Sequence, residues 1–128
     1  MKKLTKAEEE VMQIVWDLER CLVSDLLDHL EKEKGMERPP HSTISSIVRS
    51  LEAKEFVGHK AYGRTYEYFP LVSREEYSRT RLRKLATDYF DGSMKNLVSF
   101  LVKDKELSIR ELSEMLELLQ KGDQQKGK

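Results

Sequence analysis

Cysteine is almost absent from this 128-residue chain, and long apolar runs are absent altogether. The single cysteine, Cys21, excludes an internal disulfide and any zinc site that needs several cysteines. No apolar run approaches the roughly 18 residues that cross a bilayer. The opening residues MKKLTKAEEE lack the apolar stretch of a signal peptide. We therefore expect a cytoplasmic protein that makes no contact with the lipid membrane.

The sequence also lacks the residue patterns of a catalytic or metal site. It has no glycine-rich phosphate loop and no nucleophile elbow. The three histidines, His29, His41 and His59, show no metal-ligand spacing with Cys21 or with paired carboxylates. The serines of residues 42–50 have no neighbouring base arranged to activate them. The sequence therefore predicts a binding protein without a cofactor or metal, rather than an enzyme.

An excess of charge of either sign is missing as well, because 23 basic and 23 acidic residues give a net charge of zero. Nucleic-acid-binding proteins usually carry a basic surface, so this balance by itself disfavours DNA. The distribution is uneven, however. Residues 38–64 contain five Lys or Arg and two Glu, so this segment is net +3 and the remainder net −3. The segment is a basic patch, although charge alone leaves an ordinary solvated face as the alternative.

Residues 41–54, inside this basic segment, carry an unusual helical pattern. Their apolar side chains recur at the i, i+3, i+4, i+7 spacing of a buried stripe. The rest of the first three turns is serine and threonine with one Arg49, and no acid occurs before Glu52. Small hydroxyls let the backbone come close to DNA, and a guanidinium reaches a base edge or a phosphate. We interpret this segment as a helix that enters a DNA groove.

Two further helices are predicted before this one. Thr5 and Glu8 fit the capping box that begins helix one. Ser24 is expected to cap helix two, after a short extended piece that contains Cys21. Two prolines in series at residues 39–40 then favour the start of helix three.

A hairpin follows helix three. Residues 56–60 and 65–69 are predicted strands, and Gly63 supplies a positive φ in the turn between them. Three helices and a hairpin predict a winged helix-turn-helix domain over residues 1–72, in a fold that is mainly α with a small β wing. A winged helix that binds a protein instead of DNA is the alternative, because topology alone does not prove DNA binding.

The predicted DNA contacts come from helix three, the wing tip and the start of helix one. In the complex that we expect, helix three lies in the major groove and Arg49 contacts a guanine or a phosphate. The wing tip holds the backbone or the minor groove, and the start of helix one offers charge and N–H groups to a phosphate. The predicted contacts are Thr5, Lys6, His41, Ser42, Thr43, Ser46, Arg49, Lys60, Tyr62 and Arg64.

The character of the chain changes after Pro70. Three short amphipathic helices are predicted within residues 73–121, and they cannot bury all their apolar faces among themselves. They either cap the winged helix or pair with a second copy, and we expect a homodimer because two-fold symmetry improves site selection on DNA. Residues 122–128 are expected to form a disordered tail. The predicted dimerisation residues are Tyr89, Phe90, Met94, Leu97, Val98, Leu101, Ile109, Leu112, Met115, Leu116 and Leu119.

Residues 4–121 resemble the penicillinase repressor family of bacterial winged-helix regulators (the BlaI/MecI/CopY type). The resemblance rests on LTKAEEEVMQIVW in helix one and HSTISSIVRSLEAKEFV through helix three. It continues with GRTYEYFPLVSREEY through the wing and FDGSMKNLVSFLV in a helix of the dimerisation segment. The resemblance implies a dimeric repressor that binds palindromic operator DNA and blocks transcription.

The resemblance also implies how repression ends. Members of the family are inactivated by proteolysis in the C-terminal region, after a membrane sensor protease detects β-lactam antibiotics. The corresponding cleavage region is Ser99, Phe100 and Leu101, where this chain has Phe100–Leu101 in place of the family's Asn–Phe pair. Copper-responsive members use clustered C-terminal cysteines, and this chain has none after Cys21.

Overall fold

Six helices and one hairpin make up the part of the chain that the structure describes. The computed structural model describes residues 2–33 and 35–126, with side chains in the last helix as far as residue 118. The helices and strands are α1 (Lys6–Leu18), α2 (Val23–Lys32), α3 (His41–Ala53), β1 (Val57–Tyr62), β2 (Thr65–Pro70), α4 (Arg74–Tyr89), α5 (Met94–Lys103) and α6 (Ile109–Lys126). This confirms the predicted mainly helical fold with a small β wing. The chain divides into two compact units, residues 1–80 and 81–128, and the division falls inside α4.

The first unit has a continuous apolar core to which α1, α2, α3 and the hairpin all contribute. α1 begins as predicted: the Thr5 hydroxyl accepts the Glu8 N–H at 3.1 Å, and the Thr5 N–H donates to the Glu8 carboxylate at 2.8 Å. Trp16, at the edge of this core, donates its indole N–H to the Val72 carbonyl at 2.8 Å. That bond satisfies the polar atom that a half-buried tryptophan must pair.

The start of α2 differs from the sequence prediction. The N-cap is Leu22, whose N–H donates to the Asp25 carboxylate at 2.8 Å, and the helix begins at Val23. The predicted cap at Ser24 is therefore wrong, because Ser24 already lies in the first turn of the helix. A carboxylate three residues after the cap satisfies a terminal N–H, which leaves the Ser24 hydroxyl without that role.

The hairpin is longer and its turn is tighter than predicted. β1 and β2 pair in antiparallel register as far as Tyr62 with Thr65, so only Gly63 and Arg64 form the loop. Gly63 has the predicted positive φ, at 63°. An isolated antiparallel β-bridge joins the hairpin to the segment before α2. There the Cys21 N–H donates to the Tyr68 carbonyl at 2.9 Å, and the Tyr68 N–H donates to the Cys21 carbonyl at 2.7 Å.

The second unit contains the rest of α4 with α5 and α6. Ser93 caps α5 by accepting the Asn96 N–H at 3.1 Å, and Ser108 accepts the Glu111 N–H at 3.0 Å at the start of α6. Ala86 and Leu97 are its buried apolar residues within the described side chains. α6 continues to Lys126, and residues 127–128 lie outside the described part of the chain. The expected disorder of residues 122–128 stays a prediction.

Within the described residues, no helix is long and apolar enough to cross a membrane.

Candidate nucleic-acid interface

The exposed side of α3 carries the hydroxyl groups and the guanidinium that the sequence singled out. Ile44, Val48 and Leu51 are buried, and this places the predicted groove-facing residues on the solvent side of the helix. The exposed residues of this face are His41, Ser42, Thr43, Ser46 and Arg49. The Arg49 Nε–H donates to the Ser45 carbonyl at 3.4 Å, so the guanidinium lies along the helix surface.

Two of the five basic residues of the patch are paired with acids that lie outside it. Arg38 contacts Asp28 at 2.8 Å and Glu31 at 3.4 Å, and the Arg38 guanidinium lowers the pKa of Asp28. The Lys54 ammonium contacts Glu8 at 2.6 Å. The net charge counted along the sequence therefore overstates the positive charge available to DNA. Three basic side chains have no acidic partner among the described residues: Arg49, Lys60 and Arg64.

Glu8 is a buried carboxylate that joins the start of α1 to the end of α3. Its oxygens accept the Ser50 hydroxyl at 2.5 Å, the Lys54 ammonium at 2.6 Å and the Thr5 N–H at 2.8 Å. Burial alone raises the pKa of this carboxyl, but these three donors outweigh it and lower the pKa to about 2. Ser50 is therefore a structural residue and not part of the exposed hydroxyl face.

The same contacts change what the start of α1 can offer to a phosphate. The Thr5 N–H donates to Glu8 and the Thr5 hydroxyl oxygen accepts the Glu8 N–H, so the N–H is engaged while the hydroxyl hydrogen can still donate. Lys6 is exposed, and its ammonium and first-turn N–H remain available. The predicted phosphate contacts of Thr5 and Lys6 therefore stay a prediction, with the Thr5 hydroxyl and the Lys6 ammonium as the side-chain donors.

The wing carries its charges at and near the turn. Lys60 and Tyr62 lie on the same face of β1, with the Lys60 ammonium 5.5 Å from the Tyr62 ring centroid. Tyr62 is half exposed, at 50%. Arg64 is exposed in the two-residue loop. The structure therefore brings a cation–aromatic pair and a guanidinium together at the tip of the hairpin.

The opposite face of the hairpin is tied to α3 by a contact that sequence reasoning missed. The His59 Nδ1 is hydrogen-bonded to the Glu52 carboxylate, and the His59 ring stacks on Tyr66 with centroids 4.4 Å apart. Burial, with a smaller contribution from Glu52, raises the pKa of Tyr68 beside them. The acid nearest to Arg49 in the chain is thereby engaged by the wing. No spacing rule connects a helix residue with a strand residue after an intervening turn, so the sequence held no signal for this pair.

The cysteine is chemically quiet. Burial, followed by the charges of Asp25 and Glu67, raises the pKa of the Cys21 thiol to about 12. A thiol that stays protonated is a poor metal ligand and a poor nucleophile. Among the described side chains, no cluster of three or more His, Cys, Asp or Glu could hold a metal ion.

The second unit exposes large apolar side chains along α4, α5 and α6. Tyr89 is 75% exposed and Ile109 is 71% exposed. Large apolar side chains that are exposed together in this way typically mark an interaction surface. Met94, Phe100, Met115 and Leu116 are also exposed, whereas Leu97 is buried and Phe90, Val98, Leu101 and Leu112 are half-buried. The side chain of Leu119 lies outside the described residues. Ser99, Phe100 and Leu101 all lie within α5.

Comparison with known proteins agrees with this architecture. The penicillinase repressor family model matches residues 4–121. The chain is 23% identical to the methicillin resistance regulatory protein MecI of Staphylococcus aureus (strain N315), over 93% of this chain and 94% of that protein. It is also 23% identical to the penicillinase repressor of Bacillus licheniformis, over 94% of each chain.

A solved structure shares the fold. RosR of H. salinarum superposes with a TM-score of 0.51 and 19% identity, over 82% of this chain and 96% of that chain. The family match spans the winged helix and the C-terminal helices together, which are the two parts that the sequence and the geometry distinguish. The chain therefore belongs to the penicillinase repressor family, and it is a DNA-binding transcriptional repressor rather than an enzyme.

Proposed function

We propose that this repressor acts as a homodimer on a palindromic operator, with α3 in the major groove of each half-site. The observation that carries the proposal is the exposed face of α3, which combines three small hydroxyl residues with Arg49 and no carboxylate. Each half-site would then be read by one copy, with the two centres roughly 10 bp apart.

Arg49 is the residue that we propose reads a base. Its guanidinium lies on the solvent side of α3 and has no acidic partner among the described residues, so no ion pair must be broken on binding. Its fork geometry suits the O6 and N7 acceptors of guanine. Ser42, Thr43 and Ser46 would set the fit of the helix in the groove, because their short side chains allow close approach, and His41 would lie beside them at the start of the helix.

The wing and α1 would hold the DNA backbone. Lys60 and Arg64 are unpaired cations at the hairpin tip, with Tyr62 beside them, and Lys6 lies at the start of α1. Contacts of this kind position the protein on DNA without reading sequence. We assign DNA binding to residues 1–72 and dimerisation to residues 73–121.

The dimer would form through the apolar side chains that the second unit exposes. Tyr89, Ile109 and Leu116 are each more than half exposed, and a second copy supplies the apolar cover that they lack. Leu97 is already buried within the unit, so its part is to support the face from beneath. A cytoplasmic location, where operator DNA is accessible, completes this proposal.

Release of repression by a membrane sensor protease is a further part of the proposal. The relatives include a methicillin resistance regulatory protein and a penicillinase repressor, which supports a link to antibiotic resistance. The candidate region, Ser99 to Leu101, lies in the middle of α5. Proteases cleave extended chain, so this turn of α5 would have to unwind before cutting, and loss of α5 would remove part of the dimer face.

The test uses a duplex selected from a random-sequence pool by the full chain. Arg49→Ala should weaken binding to the selected duplex by about 1–3 kcal/mol and relax preference at one base position. Arg79→Ala is the matched control, since Arg79 is an exposed, unpaired arginine on α4 within the described chain and should leave affinity unchanged. Unchanged affinity in Arg49→Ala would show that α3 does not read the groove.

A protein-interaction winged helix is the remaining alternative. Protein interfaces favour exposed aromatic residues and methionine, and the exposed face of α3 has neither. Duplex binding that is absent at every salt concentration would support this alternative against the operator.

A further inference from the structure

A cleft of about 250 Å³ lies where the first turns of α2 and α3 meet the start of β2. It lies within the first unit, between α3 and the wing. Its walls come from residues that are far apart in the sequence, so no local sequence pattern indicates it. The lining residues are Leu22, Val23, Ser24, His41, Ser45, Arg64, Thr65, Tyr66 and Tyr68.

The charge of this cleft is one-sided. The Arg64 guanidinium and the His41 imidazole line it, and no carboxylate is among its lining residues in the described chain. A second cleft, on the other side of α2, has a mixed lining in which Asp25, Asp28 and Glu33 stand beside Arg20 and Lys32. A cleft that holds a guanidinium and no carboxylate favours an anionic ligand.

The cleft also holds hydrogen-bond donors that have no use within the fold. The hydroxyls of Ser24, Ser45 and Thr65 and the Arg64 guanidinium make no hydrogen bond to the described residues. Ser24 is the notable case, because Leu22 and Asp25 take over the capping that its position suggested. Its hydroxyl is therefore free at the edge of the cleft, beside first-turn N–H groups that have no intrahelical acceptor.

We propose that this cleft binds one backbone phosphate of the DNA, with Arg64 as the cationic side chain and His41 and Ser24 as N–H and hydroxyl donors. The inference rests on the proposed function and adds a site to it. The volume is several times the roughly 30 Å³ share of a water molecule, so the phosphate and its bonded oxygens fit. Inorganic phosphate is the other source of the same chemistry.

A phosphate held here would touch the recognition helix and the wing at once. It would therefore fix the register of α3 in the groove without reading a base. Ser24→Ala should weaken binding to the selected duplex and to a scrambled duplex by the same factor. A base-reading residue would instead weaken the selected duplex alone.

The experiment is a scan of single methylphosphonate replacements along the selected duplex, measured with the full chain. For the wild-type chain, neutralising the contacted phosphate should weaken binding roughly 10-fold, equivalent to about 1.4 kcal/mol. In Ser24→Ala the same replacement should cost less than about 3-fold, while every other position keeps its wild-type effect. Arg64→Ala should lose its sensitivity at the same position, and Ser78→Ala, an exposed serine on α4, should keep the wild-type profile.

The outcomes separate this proposal from the proposed function. In one outcome the selected duplex binds well while the losses of affinity from Ser24→Ala and from each methylphosphonate simply add. That result overturns the phosphate site and leaves the proposed function standing. Failure of the full chain to bind any duplex overturns the operator proposal as well. The second arm titrates the full chain with inorganic phosphate and follows the NMR chemical shifts of the backbone amides. Shifts at Ser24 and His41 together with additive duplex data would make the cleft a free-anion site and overturn its role with DNA.

Discussion

The buried carboxylate of Glu8 makes the stability of the first unit depend on pH, and this dependence can be measured. Glu8 is 4% exposed and accepts bonds from Ser50, Lys54 and Thr5. Glu8→Gln replaces the charge with a neutral amide of similar size, so the packing is kept while the charge interactions are lost. The amide nitrogen also replaces one acceptor oxygen, so the pH dependence of the stability difference, and not its size at one pH, reports the contribution of the charge.

The magnitude follows from the pKa. The folded protein lowers the pKa of Glu8 from 4.5 to about 2, and one pKa unit corresponds to about 1.4 kcal/mol. The ionised carboxylate thus contributes about 3 kcal/mol to the free energy of unfolding. Because the folded pKa lies below the unfolded one, this contribution is complete above pH 4.5 and is lost as the pH falls towards 2.

Urea unfolding of the wild type and Glu8→Gln between pH 6 and pH 2.5 provides the measurement. The difference in free energy between the two chains should be largest near pH 6 and shrink as the pH falls below about 4.5. Glu10→Gln is the control, because Glu10 is an exposed carboxylate two residues after Glu8 on the same helix. This variant should keep the wild-type pH dependence of stability. A constant difference between wild type and Glu8→Gln over the whole range would refute the electrostatic origin of this stabilisation.

Three further outcomes follow from the same structure. Ser50→Ala removes a hydroxyl bonded to Glu8 and should cost about 1–3 kcal/mol of stability, while Ser46→Ala should stay within about 0.5 kcal/mol; equal effects in urea unfolding would contradict the inward role of Ser50. Lys60→Ala should lower affinity for all duplexes alike and reduce the slope of log K against log salt by about 1, and an unchanged slope would place Lys60 away from phosphate. Ile109→Glu should shift the chain towards monomer in sedimentation, whereas Arg110→Glu, whose side chain is 89% exposed, should not; a dimer that persists in Ile109→Glu would move the interface elsewhere.

The elements of the first unit could be predicted from sequence because their signals are local. The capping box of Thr5 and Glu8, the apolar stripe of α3 and the positive φ of Gly63 each depend on residues within a few positions of one another. Local competition also explains the error at α2. Ser24 and Asp25 are both good residues for a helix start, and the structure uses Asp25, which lies three residues after the Leu22 cap and accepts its N–H.

The electrostatics of the site could not be read from the sequence, since they depend on contacts across the fold. Lys54 finds its partner 46 residues away, in Glu8. A count of charges along the chain treated Lys54 as available to DNA, whereas folding withdraws it. The cleft beside Ser24 and Arg64 escaped for the same reason, because its walls meet only in three dimensions.

The backbone bridge between Cys21 and Tyr68 has a consequence for the kind of DNA that this protein selects. Two hydrogen bonds of 2.9 Å and 2.7 Å join the segment before α2 to the wing, so the wing cannot swing outward without breaking them. Together with the contact between Glu52 of α3 and His59 of the wing, these bonds set the span between α3 and the wing before DNA binds. A rigid reader of this kind favours duplexes whose intrinsic groove width and bend already match its span, because other sequences must be deformed to fit. Selectivity would then extend to base pairs that no side chain touches.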